Sequence, residues 1–220
     1  MIHVKNLGQN IIHVTADTQI ELSMAFIRPQ EYYENQAKHI RGKYFTLEEV
    51  LYATSPGGRN TYFQDIVGFN IPGEVFQNWI ADFSGVGCGI NHSESRLVDA
   101  ISKVIKPGRF YIIGTFTEDV LTHELAHALY CLNRKYKTRV TELVDALPYK
   151  KEMFKLLRAK SYANLPNILV DETQAYMTSS KHELITDLNF NPKWKWDGRI
   201  KKLLEATIKS LKINTEVVYG

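Results

Sequence analysis

The segment that most constrains this chain runs from Leu121 to Leu132, where His123, Glu124 and His127 interrupt residues that are otherwise almost all apolar. Leu121, Leu125, Leu129 and Leu132 recur at helical spacing. Glu118 and Asp119 suit a first turn and Arg134, Lys135 and Lys137 the region past a last one, as the helix dipole requires. Thr115 and Glu118 have capping-box spacing. On such a helix positions i and i+4 share a face, so both imidazoles can converge on one point. Two histidines and a glutamate buried on an apolar helix are costly unless they are paired or hold a metal. In the pattern HExxH, Glu124 also stands where it can take a proton from a metal-activated water.

A catalytic zinc ordinarily has three protein ligands and one open position, so HExxH is one ligand short. The metzincin pattern is excluded, because Tyr130 and Asn133 occupy the positions where it needs glycine and histidine. Glu172 is the better candidate: Ile168, Glu172, Ala175 and Tyr176 share one face of a helical segment, which points a carboxylate where apolar groups point, and Ala175 lets another helix approach. Glu142 and Asp145 are closer in sequence and stay open as alternatives, their ordinary reading beside Val140, Leu143 and Val144 being an exposed helical face. His182 has Thr186 at i+4 and reads as a surface histidine.

His123 to His127 followed by Glu172-x-x-Ala175 resembles the gluzincin branch of the zinc metallopeptidases, over residues 109–179. The resemblance implies a zincin-like fold, Zn2+ held by His123, His127 and Glu172, and Glu124 as the catalytic base. The gap of 45 positions between His127 and Glu172 is longer than in the shortest members of that branch.

The rest of the chain fits one α+β domain over residues 1–220, with a strand-containing part over about 1–116 and a helical part over about 117–220. Ile20, Leu22, Met24 and Phe26 alternate like a half-buried strand, which predicts an opening hairpin with residues 11–14. Thr46 and Glu49 predict a capping box, and Pro72-Gly73 precedes helically spaced Val75, Phe76, Trp79 and Ile80. Ser93 or Ser95 is placed to cap a helix carrying Leu97, Val98 and Ile101. A strand over 109–116 follows. Helices are expected over 117–132, 138–147, 149–160, 167–179 and 199–211.

With 27 basic and 24 acidic residues the net charge is only +3, below that of a dedicated nucleic-acid binder. No apolar run approaches the roughly 18 residues of a spanning helix. No leader pattern opens the chain, and two cysteines, Cys88 and Cys131, make no disulfide framework, so a cytoplasmic setting is expected. The weaker signals have ordinary readings. Gly85 to Gly89 lacks phosphate-loop spacing and reads as a connector. Trp194 and Trp196 between Lys193 and Lys195 are too few for a nucleic-acid stacking surface. Ile200, Leu203, Leu204, Ile208 and Leu211 form the docking stripe of a C-terminal helix.

The expected function is hydrolysis of peptide bonds in a peptide or protein substrate, with no nucleic-acid or membrane partner. A binding or regulatory protein that keeps the scaffold and the metal is the rival, and the intact Glu124 speaks for catalysis. Tyr176, Tyr162, Tyr149 and His182 are available as oxyanion donors, Tyr176 first because it shares the face of Glu172. An extended substrate would lie along a sheet edge. The strand over 109–114 is the leading candidate, with a buried central strand as the alternative because its residues are apolar on both faces.

Overall fold

The computed structural model describes residues 1–55, 62–87, 89–160, 162, 165–179, 189–191 and 197–216. Cys88, His182 and the Trp194 and Trp196 stretch lie outside them. The fold class is α+β with one four-stranded mixed sheet. The chain divides into two compact units, Met1–Glu118 with Asn214–Gly220, and Asp119–Ile213. That boundary falls within two residues of the change in pattern seen in the sequence.

In the first unit, β1 (Ile2–Asn6) and β2 (Ile11–Ala16) form an antiparallel hairpin. Gly8, Gln9 and Asn10 make its turn with positive φ, and the Asn6 side chain accepts the Gly8 amide, the local bonding that suits asparagine to turns. The expected partner of residues 11–14 was the segment around Ile20 to Phe26. That expectation is wrong: α1 (Gln19–Glu34) occupies it, started by Thr18, whose hydroxyl accepts from the Glu21 amide. Ile20 is 60% exposed while Leu22, Ala25, Phe26 and Pro29 are buried, a helical face that period-two reading obscured. The expected strands-then-helices order also simplifies the first unit, where α1, α2 (Leu47–Ala53), α3 (Tyr62–Asp65), α4 (Gly73–Phe83) and α5 (His92–Ser102) are interleaved with the strands.

The sheet order is β1-β2-β4-β3, with β3 at Gly68–Pro72 and β4 at Tyr111–Thr115. β4 pairs parallel with β2 and antiparallel with β3. It is therefore central, and the expectation that it offers a free edge to substrate is overturned. All five of its residues are buried, as a strand covered on both faces must be. Gly114 has a packing reason: a Cβ there would lie 2.8 Å from the Phe26 ring, so only glycine lets α1 settle this close.

The Thr46 capping box is present at the start of α2. α5 begins two to four residues earlier than expected, with Asn91 as cap and Glu94 completing the box. Inside this unit Arg28 and Glu94 form a buried ion pair. Arg28 also donates to the Gly89 carbonyl at 2.9 Å, which ties down the connector read from the glycines.

The second unit is helical: α6 (Glu118–Leu132), α7 (Arg134–Asp145), α8 (Lys150–Ala159), α9 (Pro166–Thr178) and α10 (Arg199–Leu211). α7 starts four residues before its expected position because Asn133 caps it, accepting from the Tyr136 amide. Pro166 opens α9, where its missing N–H costs nothing. α9 packs against α7, α8 and α10, and α10 also against α7. Ile200 and Leu204 are buried, so the C-terminal helix is docked as its stripe predicts. Among the described residues no helix is long and apolar enough to cross a membrane.

Candidate metal centre

α6 is buried on most of its circumference, and the burial takes in its polar residues. Glu124 is 4% exposed and His127 2%. His123, one turn earlier, is half-buried, and the two imidazoles meet with Nε2 atoms 3.2 Å apart. Thr115 does not cap this helix. It ends β4, and its hydroxyl lies 2.7 Å from His13 Nε2.

α9 brings the carboxylates. Glu172 is 8% exposed with Oε2 3.9 Å from His127 Nε2. Asp171 Oδ1 lies 3.0 Å from His127 Nδ1. The ligand atoms of His123, His127 and Glu172 fall within 4.8 Å of one another, the one such group of His, Cys, Asp and Glu among the described residues. Glu142 and Asp145 are not part of it: both are half-exposed, paired with Arg139 and Lys150. Tyr176 sets its ring edge-on to His123, 5.0 Å between centroids, and the Tyr162 hydroxyl is 3.1 Å from that of Tyr176. Tyr149 packs instead against Phe190.

Asp171 carries no signal of its own in the sequence beyond lying next to Glu172 on an apolar helix. Its partners were also missed. Gln174 donates to Asp171 Oδ1 at 3.0 Å, and the Tyr136 hydroxyl donates to Gln174 Oε1 at 2.7 Å. The i, i+3 spacing of Asp171 and Gln174 is a legible clue. Tyr136, 38 positions away on α7, offers none.

The electrostatics follow from this crowding. Burial pushes the His123 imidazole well below its ordinary pKa, and the neighbouring His127 pushes it further. Burial acts on His127 in the same sense, but the charges of Asp171 and Glu172, the Asp171 hydrogen bond and the charge of Glu124 outweigh it and hold His127 well above. The two shifts are opposed, so of the pair His127 is the imidazole held toward its charged form. Three carboxylates, Asp171, Glu172 and Glu124, outnumber the charge that two imidazoles can carry. A cation suits this donor set, and with Asp171 taking the Nδ1–H of His127, Nε2, which faces His123, is the nitrogen that can ligate once it carries no proton. The group can hold a metal ion. Compared with known protein families, curated proteins and solved structures, the chain matches none.

Proposed function

We propose that this chain is a zinc-dependent peptidase of zincin-like fold, acting as a cytoplasmic endopeptidase, with His123, His127 and Glu172 as the metal ligands and Glu124 as the general base. The observation that carries the reading is the convergence of two Nε2 atoms and one carboxylate from α6 and α9. Two nitrogens and one oxygen are the ligand set of catalytic rather than structural zinc, which prefers four protein ligands. Glu124 follows the first ligand directly on the same buried helix and is not needed as a ligand, which frees it for proton transfer.

A bound zinc supplies Lewis acidity to a water and to the substrate carbonyl. Glu124 accepts the proton of the attacking water and returns it to the leaving amine. Asp171 holds His127 in the tautomer that ligates. Tyr176, on the same face as Glu172 and against His123, is the candidate donor to a developing oxyanion.

Metal analysis and cleavage of a broad peptide library test the reading together. Wild type should bind one zinc and cleave. His123→Ala and His127→Ala should lose the metal. Glu124→Gln should retain it and lose cleavage, and Glu172→Ala should weaken zinc far more than Glu142→Ala. Zinc bound without cleavage of any peptide would favour the non-proteolytic binding protein, and no zinc at all would end both readings.

A further inference from the structure

The centre is wired to a helix that contributes no ligand. Asp171 can only accept, so both groups that meet its Oδ1 must donate: His127 through Nδ1–H at 3.0 Å and Gln174 through its amide N–H at 3.0 Å. That fixes the Gln174 amide, whose oxygen then faces Tyr136 and accepts its O–H at 2.7 Å. Donation runs from Tyr136 to Gln174 to Asp171, where it meets the bond that His127 donates from the other side. Tyr136 is 2% exposed and Gln174 fully buried, so water does not compete for the bond between them, whereas the Asp171 carboxylate that they hold is 24% exposed. The outer end is anchored separately, because the Asn133 side chain caps α7 on the Tyr136 amide.

We propose that Tyr136 and Gln174 are positioning residues for the metal centre, holding the Asp171 carboxylate so that His127 keeps its proton on Nδ1 and offers Nε2. The proposal rests on the metal reading above, and it assigns a function to α7 that the ligand set does not. Without the Tyr136 hydroxyl the Gln174 amide is free to turn, and Asp171 loses the partner that fixes its rotamer. Such outer partners typically set metal affinity by about 10- to 100-fold.

The test is zinc affinity by chelator competition at fixed pH, with the His127 Nδ1 proton followed by NMR in the zinc-loaded protein. Tyr136→Phe should weaken zinc by about 10-fold and Gln174→Met by up to about 100-fold, and both should speed exchange of that proton with water. Tyr149→Phe, which removes a buried hydroxyl elsewhere in the same unit, should do neither. If Tyr136→Phe and Gln174→Met melt earlier yet bind zinc like wild type with an unchanged proton signal, their part is structural and the proposal is overturned. If Tyr136→Phe fails to fold, the Gln174→Met affinity decides. A wild type that binds zinc but cleaves nothing leaves this inference standing while the peptidase reading falls. A wild type that binds no zinc overturns both.

Discussion

The two units bury charge in opposite ways. In the first, Arg28 and Glu94 meet in the interior with a matched pair of charges, and Glu94 spends its remaining capacity on the cap of α5. In the second, Glu124, Glu172 and Asp171 gather around two imidazoles, of which His127 is the one held toward its charged form. The sequence outside these groups leans the other way. The first unit carries 10 Lys and Arg against 13 Asp and Glu, the second 17 against 11. So the acidic centre is held in the more basic unit. A balanced buried pair completes a fold, whereas an unbalanced cluster is a site for an ion of opposite charge.

The comparison breaks first at Arg28. Arg28→Ala leaves Glu94 charged in a dry interior and should cost about 3–5 kcal/mol, read from denaturant midpoints. Arg28→Met combined with Glu94→Gln, which keeps a capping amide, should recover much of it. A cost under about 1 kcal/mol for the single variant would mean the pair is not a closed unit.

His13 sharpens the contrast within the first unit. Burial, assisted by Lys5, pushes its imidazole down to about 4. The unfolded chain takes up this proton near pH 6.5, while the folded chain refuses it until about pH 4. Stability is therefore complete above that window and falls as pH drops through it, by on the order of 3 kcal/mol. Denaturant midpoints between pH 7 and 4 should show this slope, and His13→Gln should flatten it. An equal slope in the variant would remove His13 as the cause.

In the second unit, zinc at a hundred times its dissociation constant should raise stability by about 2.7 kcal/mol over chelator-treated protein. Affinity should rise with pH, since the proton on His127 must leave before Nε2 can ligate. Calorimetric titration at pH 6 and 8 reads this directly, and equal affinities would put the proton elsewhere. The smallest effect depends on zinc. Without zinc, Glu172→Gln should change stability by less than about 1 kcal/mol, because the repulsion it relieves from Asp171 and Glu124 is offset by the attraction it withdraws from His127. The same change in zinc-saturated protein should destabilise. A comparable loss in both states would make Glu172 a partner of the Arg28 kind.

Much of this was written locally. The α6 helix, its paired histidines, Glu172 as the inward carboxylate of α9, the Thr46 capping box and the docked α10 all follow from spacing of four residues or fewer, and the structure bears them out. The alternating run from Ile20 to Phe26 is short enough to satisfy two periods at once, and only the cap at Thr18 and the packing of Phe26 on Gly114 select the helix. The central place of β4 had no local mark, since a strand apolar on both faces says that it is covered and not which strands pair with it. The sequence by itself determined which side chains share a helical face, His123 with His127 on one helix and Glu172 with Ala175 and Tyr176 on another, and the tertiary structure brought those two faces together. The tertiary structure decided that Asp171, Gln174 and Tyr136 stand behind His127, because hydrogen bonds between helices join residues 38 to 44 positions apart that no periodicity connects.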